Sequence, residues 1–291
     1  MGEPATNAEA DDRELFDEQG YLAVPDALSP SQVSSLIAAI DGLTGNGTGR
    51  LQNVADIIGR HDAFLPLVDL PGVLPRIRNL LGSNIWLNHS HFNVNPPTGP
   101  DAIEHHPNGY GWHRDGGAIN KDVPWPAPLL SIKIGLYLTD LSEPRRGQTY
   151  FIRNSHKTGE RKPGPFEIPE TAFPLNVKPG TAVLFDRRML HSIRSANVSD
   201  VTRYVIFIQY AFRWMAAVDA MTVGHLRKKC SSVRRQLLNL NTSYNNIDGA
   251  EGRSALYHPT PGDVPLGGDQ PHWLKRGIRS LGRRVLGPRS G

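Results

Sequence analysis

Cysteine is almost missing from this chain: Cys230 is the one thiol among 291 residues. A single cysteine excludes an intramolecular disulfide and is typical of proteins from a reducing compartment, so we expect a cytoplasmic protein. Long apolar runs are missing too, since none approaches the roughly 20 residues of a membrane-spanning helix. The first residues also lack the basic-then-apolar pattern of a secretory signal, which agrees with that location.

Charge of one sign is also scarce, because 32 Lys and Arg residues nearly balance 28 Asp and Glu residues. Zinc-finger spacing and interleaved aromatic and basic side chains are missing, so no nucleic-acid partner is expected. Much of the excess positive charge lies in residues 272–286, where basic and apolar residues are interspersed as in a basic amphipathic helix. We expect this helix, within a tail spanning 268–291, to pack on the protein rather than on an anionic membrane. Nothing in the sequence indicates the oligomeric state.

Glycine and proline are plentiful, at 29 and 24 residues, and the hydrophobic fraction of 38% is enough for a globular core. Short alternating segments separated by Gly/Pro turns indicate a mainly β protein, an antiparallel barrel or jelly roll with flanking helices. These segments are residues 21–25, 85–95, 129–140, 148–153, 181–186 and 203–213. Two amphipathic helices, starting at Ser29 and spanning 73–81, are expected to buttress the sheet. The predicted domain covers 13–267 and follows a disordered stretch, 1–12.

The most informative motif is the short run that contains His113 and Asp115. Two residues apart on an extended backbone, these side chains point to the same side. One further histidine completes the 2-His-1-carboxylate set that is diagnostic of non-haem Fe(II) oxygenases. His191 is the candidate, because it lies between two late segments that return beside the early strands in a jelly roll.

Arg203 begins the last predicted strand, on a face that it shares with Val205 and Phe207. A lone charge on an inward apolar face is costly to bury, so the guanidinium should have a partner. A ligand carboxylate fits best, because guanidinium binds carboxylate through two parallel hydrogen bonds.

In order and spacing, these motifs resemble those of the phytanoyl-CoA dioxygenase family. The similar pieces are 16–22, His113-x-Asp115, 135–140, Gly147 with 155–157, His191 with Asn197 and Ser199, Arg203, and 263–266. The resemblance implies a double-stranded β-helix that binds Fe(II) and 2-oxoglutarate and uses O2. It also implies that His113, Asp115 and His191 are the metal ligands.

By the same resemblance, Arg203 would hold the distal carboxylate of 2-oxoglutarate. Asn93, Lys133 and Thr149 lie on strands that line such sites, so we expect them to contact the co-substrate as well. The implied reaction oxidises a C–H bond, by default through hydroxylation, and yields succinate and CO2. Retention of Asp115 argues against a halogenase, in which a small residue replaces that carboxylate.

Aromatic side chains suggest a small, partly apolar organic substrate. The candidates for substrate contact are Trp112, Trp125, Phe151, Phe212 and Trp214, although a place in the core is at least as good an explanation for each of them. The loop 157–173 is long enough to act as a lid over the site.

Four alternatives remain open from the residues alone. His89 and His91 can seed a cupin-type metal site or form a polar pocket wall, and the His113–Asp115 pair can be a buried hydrogen bond without metal. The same ligands also suit zinc, so a zinc-dependent hydrolase is a rival. A jelly-roll binding protein without turnover is the rival from outside the enzymes.

Overall fold

The computed structural model describes residues 7–45, 51–104, 106–116, 123–193 and 195–240. Four α-helices are present in these ranges: α1 (Asn7–Gln19), α2 (Pro30–Thr44), α3 (Leu74–Leu81) and α4 (Ser232–Leu237). Two 3₁₀ helices span Asp62–Asp69 and Gly224–Lys229. The strands are β1 (Tyr21–Val24), β2 (Gln52–Ala55), β3 (Ile85–Asn95), β4 (Ser131–Tyr137), β5 (Tyr150–Ile152), β6 (Ala172–Pro174), β7 (Ala182–Asp186) and β8 (Arg203–Phe212). The predicted class, mainly antiparallel sheet with flanking helices, is confirmed.

Six strands form one sheet in the order β1-β7-β4-β8-β3-β2, and β5 and β6 pair separately. Every neighbouring pair is antiparallel. Strands that are distant in sequence thus lie side by side: β8 is paired with β3 on one side and with β4 on the other. As a result, Asn93, Lys133 and Arg203, which come from three parts of the chain, lie on neighbouring strands.

The two faces of the main sheet differ in what they carry, as the period-2 alternation predicts. Ile132, Ile134 and Leu136 of β4 belong to the large core that includes the helices. Tyr137, one position out of phase, belongs to a second core with Val205 of β8. The second face also bears Asn93, Lys133 and Arg203, and there the sheet forms a cavity.

Helices α2 and α3 cover the first face. Ser29 caps α2: its hydroxyl accepts a hydrogen bond from the Gln32 backbone N–H, while the Gln32 side chain accepts one from the Ser29 N–H. Gly82 ends α3 with a φ of 81°, a conformation that favours glycine. The apolar positions Leu36 and Ile77 are buried under the sheet, and each such side chain contributes roughly 1.5–3 kcal/mol.

The expectation of disorder over 1–12 is wrong for its second half, because α1 begins at Asn7. The helix has a partner that the local sequence does not reveal. Asp12 forms an ion pair with Arg76 of α3 at 2.9 Å, and Phe16 is fully buried. Residues 1–6 lie outside the described ranges.

Two short strands and the C-terminal part of the chain are also compared with the sequence predictions. β2 and β6 were not predicted, because β2 has no alternation of apolar and polar residues and β6 contains a proline. The end of the predicted domain at 267 and the predicted basic helix 272–286 lie outside the described residues, so both stay predictions. None of the helices in the described part of the chain has the length and apolar character of a membrane span.

Candidate metal centre

The structure brings together His113, Asp115 and His191, whose donor atoms all lie within 4.8 Å of one another. The Nε2 atom of each histidine is 3.8 Å from a carboxylate oxygen of Asp115. A short antiparallel bridge fixes this approach, because His113 and His191 exchange two backbone hydrogen bonds of 3.0 Å. The three side chains therefore converge on one point from two segments that are far apart in sequence.

Backbone carbonyls fix the orientation of both imidazole rings. Nδ1 of His113 lies 3.2 Å from the Gly111 carbonyl oxygen, and Nδ1 of His191 lies 2.9 Å from that of Met189. A carbonyl only accepts hydrogen bonds, so each Nδ1 carries the proton and donates it. The lone pair of each neutral ring is then on Nε2 and directed towards Asp115, as in metal sites whose histidines are oriented from behind.

The ionisation states of the three ligands also suit a cation. Burial lowers the pKa of His113 and lowers that of His191 to about 3, so both rings are neutral at pH 7. Burial alone raises the pKa of Asp115, but Lys133 and the two histidines outweigh it and hold that pKa below its usual range. Two neutral nitrogens and one carboxylate are suitable donors for a divalent transition metal.

Lys133 of β4 is the direct partner of this carboxylate, with Nζ 2.8 Å from Oδ1 of Asp115. The lysine is buried and also lies over the ring of Phe207, 5.6 Å from its centroid. The sequence predicts a contact between Lys133 and the co-substrate, whereas here its ammonium group is bonded to a metal-ligand side chain. The sequence did not predict this ion pair, because the His113–Asp115 motif does not indicate which strand lies beside Asp115.

A cavity of about 200 Å³ adjoins His113 and His191. All four residues predicted to contact the co-substrate line it, together with two of the ligands and further polar and apolar side chains. The lining residues are Asn53, His89, His91, Asn93, His113, Lys133, Thr149, His191, Ser192, Ile193, Arg203 and Phe207.

Arg203 lines this cavity as a buried cation. Its Nη2 donates to the Thr149 hydroxyl at 3.1 Å, its Nε has no hydrogen-bond partner, and within the described ranges it forms no salt bridge. Burial lowers its pKa, which is the sign of a charge that water no longer solvates. Such a group is stabilised by an anion in the cavity.

The turn before β8 sets the position of Arg203. The Asn197 side chain donates to the carbonyls of Asn95 and Val201, at 3.0 and 2.9 Å, and accepts a 2.7 Å hydrogen bond from the Ser199 hydroxyl. A fully buried amide thus joins the end of β3 to the start of β8. This accounts for the Asn197 and Ser199 part of the motif.

His89 and His91 form part of the cavity wall rather than a metal cluster. Their rings stack on each other at 4.7 Å, and His91 stacks on Phe207 at 5.0 Å. Burial lowers the pKa of both, so they are neutral side chains. Among the described residues, the one group whose donors lie close enough for a metal is His113, Asp115 and His191. The cupin-type alternative therefore has no support.

Of the five aromatic residues proposed to contact substrate, Trp112 alone lies beside the ligands and lines a pocket. It borders a groove of about 300 Å³ together with His113 and Ile193. Its indole N–H donates to the Glu167 carbonyl at 2.8 Å, so the ring is held in place. Trp125 lies instead beneath the guanidinium of Arg114, with 5.1 Å between the guanidinium carbon and the ring centroid.

The other three aromatic residues are not among those that line the cavity or the groove. Phe151 is fully buried in the second core, with its ring centroid 6.0 Å from that of His191. Phe212 and Trp214 stack on each other at 5.9 Å, at the opposite end of β8 from Arg203. The sequence did not indicate these positions, because alternation assigns a side chain to a face and leaves its position along that face open.

The predicted lid is held against the ligand segment. The carbonyl of Pro165 accepts from the Tyr110 N–H at 2.7 Å, and that of Glu160 accepts from Arg114 at 3.0 Å. Near its start, the Ser155 hydroxyl donates to Ile152 and accepts from the Leu190 N–H, next to His191. The segment is therefore part of the support of the site, and its C-terminal part forms β6 rather than a loop.

The chain is similar to known proteins both by family profile and by sequence identity. The family profile described as phytanoyl-CoA dioxygenase matches residues 16–205, which is more than half of the chain. Ectoine dioxygenase from Streptomyces coelicolor is 24% identical over 162 residues, which cover 51% of this chain and 51% of that protein. The chain thus spans about half the length of the curated relatives it matches.

Solved structures share the fold at lower identity. HygX from Streptomyces hygroscopicus with nickel and 2-oxoglutarate bound gives a TM-score of 0.57 at 16% identity, covering 75% of this chain and 93% of HygX. The epimerase SnoN in complex with Fe3+, alpha ketoglutarate and nogalamycin RO gives 0.54 at 22% identity, covering 70% and 83%. The match of the family profile, over the residues that carry the strands and the three converging ligands, shows that the chain belongs to the phytanoyl-CoA dioxygenase family.

Proposed function

We propose that this protein is a non-haem Fe(II)- and 2-oxoglutarate-dependent dioxygenase with a double-stranded β-helix core. The observation that carries the proposal is one cavity lined by His113, His191 and the buried Arg203. Arg203 has no counter-charge among the residues that the structure describes. The first feature suits a divalent metal, and the second suits an anion beside it. A metal hydrolase needs the first feature alone, so Arg203 favours the oxygenase.

The donor set fits ferrous iron, because three protein ligands leave coordination positions for other molecules. When bound, iron supplies the activation of O2 that protein side chains lack, with oxidation of 2-oxoglutarate to succinate and CO2. His113 and His191 present their Nε2 atoms, which the carbonyls of Gly111 and Met189 keep in the correct tautomer. Lys133 holds the carboxylate of Asp115 in place and offsets its charge.

The cavity residues orient 2-oxoglutarate. Arg203 and the Thr149 hydroxyl, already joined at 3.1 Å, present donors to its distal carboxylate. Asn93 lines the same cavity and is a further candidate contact. A pocket of about 200 Å³ is of a size for a five-carbon dicarboxylate, and the burial of Arg203 in its wall strengthens these charge-assisted hydrogen bonds.

The substrate occupies the adjoining groove, which His113 and Ile193 share with the cavity. Trp112, Pro163 and Pro165 give this groove an apolar surface, and Lys162 and Asn108 add polar groups. A small, partly apolar organic molecule fits this lining, and its hydroxylation is the proposed outcome. A cytoplasmic location remains part of the proposal and rests on the single cysteine.

The test measures succinate formation from 2-oxoglutarate with Fe(II), in air and under argon, together with Fe(II) binding by anaerobic equilibrium dialysis. We expect His113→Ala, Asp115→Ala and His191→Ala each to abolish oxygen-dependent succinate and to weaken iron binding. The exposed His225 gives a matched control, since His225→Ala removes an imidazole outside the site.

The rival functions predict different results. Hydrolysis that persists under argon and depends on Zn(II) would identify a zinc hydrolase. Wild-type protein that binds neither Fe(II) nor 2-oxoglutarate would identify a binding protein without turnover. Either outcome contradicts the proposed function.

A further inference from the structure

Arg114 lies between the two ligands His113 and Asp115, and its side chain reaches main-chain carbonyls of two other segments. Nε donates to Arg188 at 2.7 Å and Nη1 to Glu160 at 3.0 Å. Nη2 donates to Ser155 at 3.0 Å and to Thr158 at 3.2 Å. These hydrogen bonds use four of the five N–H donors of the guanidinium.

The carbonyls belong to two segments that contact His191 or its neighbours. Arg188 comes three residues before His191, and its neighbour Met189 accepts the Nδ1 hydrogen bond of that histidine. The Arg188 side chain is held by bonds of 2.5–3.0 Å to Asp186, at the end of β7, so this carbonyl has a fixed position. One side chain thus links the segment of the first two ligands to the segment of the third.

The second segment, 155–160, is held in the same way. The Ser155 hydroxyl accepts from the Leu190 N–H at 2.8 Å, one residue before His191. The ring of Trp125 lies against the guanidinium, and its indole N–H donates to Lys157 at 3.2 Å. The half-buried Arg114 guanidinium therefore contacts four carbonyls and an aromatic ring, and that ring is hydrogen-bonded to the same segment.

We propose that Arg114 is a positioning residue for the metal centre, which holds His113 and Asp115 at the correct separation from His191. It is not a lining residue of the cavity and acts through the ligands on either side of it. This inference rests on the proposed function. A planar guanidinium spreads five donors over three nitrogen atoms and can reach all four carbonyls, whereas an ammonium group has three donors on one nitrogen atom.

The test compares Arg114→Lys with wild-type protein in Co(II) binding, because Co(II) reports both affinity and geometry without turnover. We expect the dissociation constant for Co(II), measured by anaerobic equilibrium dialysis, to rise by about 10- to 100-fold. The visible absorption spectrum of the Co(II) protein should change as well. At saturating Fe(II), kcat for succinate formation should fall while KM for 2-oxoglutarate changes little.

Arg153→Lys is the matched control, since Arg153 is an exposed arginine that also lies over an aromatic ring, Phe173, at 4.5 Å. It should leave the Co(II) dissociation constant and the spectrum unchanged. Arg114→Gln is the second variant. The Tm of each metal-free protein shows whether a variant is less stable, so that a loss of folding can be separated from a change in the positions of His113 and Asp115.

Two results would overturn the inference. One is an Arg114→Lys protein that binds Co(II) within about threefold of wild type and has the same spectrum. The other is a lower metal-free Tm with an unchanged Co(II) dissociation constant for the folded protein, which is the signature of a purely structural side chain. Wild-type protein that binds no Co(II) contradicts the proposed function itself.

Discussion

Two buried cations near the site, Lys133 and Arg203, differ in their partners. Lys133 lies 2.8 Å from the carboxylate of Asp115, so its charge is compensated within the protein. Arg203 has the Thr149 hydroxyl and the neighbouring Tyr137, whose pKa burial raises, so no anion balances it among the described residues. A buried charge of this kind destabilises the protein until a ligand anion binds.

Arg203→Met should therefore have two opposite effects. Two charge-assisted hydrogen bonds to a carboxylate are worth about 2–4 kcal/mol, so the dissociation constant for 2-oxoglutarate should rise by roughly 30- to 1000-fold. The Tm of the protein without ligands should stay equal or rise, because an uncompensated buried charge is removed. Calorimetric titration of the anaerobic Fe(II) protein and thermal unfolding of the ligand-free protein measure the two effects.

Arg146→Met is the control for this prediction, because Arg146 is a partly exposed arginine 4.0 Å from Asp140. Its dissociation constant for 2-oxoglutarate should match that of wild type. Normal binding of 2-oxoglutarate by the Arg203→Met protein would show that the co-substrate carboxylate is held elsewhere.

Among the elements, β8 joins the site to the helices, because its alternate residues face opposite ways. Arg203 points into the cavity, while the hydroxyl of the next residue, Tyr204, donates to Asp41 of α2 at 2.7 Å. Burial, together with this hydrogen bond to a carboxylate, raises the pKa of Tyr204 to about 12. The contact links α2 to the strand that carries Arg203.

Tyr204→Phe should lower the free energy of unfolding by about 0.5–1.5 kcal/mol at pH 7, the usual contribution of one hydrogen bond. The folded-state pKa of Tyr204 lies above its unfolded value, so the proton is held more tightly in the folded protein. Its contribution is complete below about pH 10 and is lost as the pH rises towards 12. Urea unfolding between pH 8 and pH 11.5 should show a steeper alkaline loss in wild type than in the variant.

Asp41→Asn tests the origin of that alkaline loss. It keeps a hydrogen-bond acceptor and removes the negative charge, so the loss should become smaller without disappearing. Identical alkaline profiles for wild type and Tyr204→Phe would mean that this tyrosine plays no part in the pH dependence.

For the whole molecule, ligand binding and stability are coupled, because the cavity exists in the folded sheet alone. Its walls come from β3, β4 and β8 and from the segment of His191, which are brought together only by folding. A ligand that binds the folded state alone adds RT ln(1 + [L]/Kd) to the free energy of unfolding.

We therefore expect Fe(II) and 2-oxoglutarate, added anaerobically, to raise the Tm. At 100 times the dissociation constant the gain is about 2.7 kcal/mol, equivalent to roughly 4–5 °C for a chain of this size. A chelator should reverse the shift, and His191→Ala should remove it. A wild-type Tm that is indifferent to both ligands would contradict the assignment of the cavity.

The sequence predicts the elements well where a period is visible. The strand 85–95, the alternation on β4 and β8 and the helix capped by Ser29 all agree with the structure. It fails where such a period is absent: β2 has no alternation of apolar and polar residues, β6 contains a proline, and α1 needs its contact with α3. It leaves open whether Phe151 lies in the core or contacts substrate, and the structure places it in the core. The local sequence pattern indicates which face of a strand a side chain is on. Its burial depends on packing against residues that are distant in sequence.

By itself, the sequence determined which residue types are available for chemistry and which of them share a face, because backbone geometry imposes the period. Only the tertiary structure decided that His191 lies beside the His113–Asp115 pair, that Lys133 is bonded to Asp115, and that Arg114 joins the segments that bear the ligands. These contacts link residues through a sheet whose neighbouring strands are distant in sequence. Distances of a few ångströms between such segments result from packing, which no local period records.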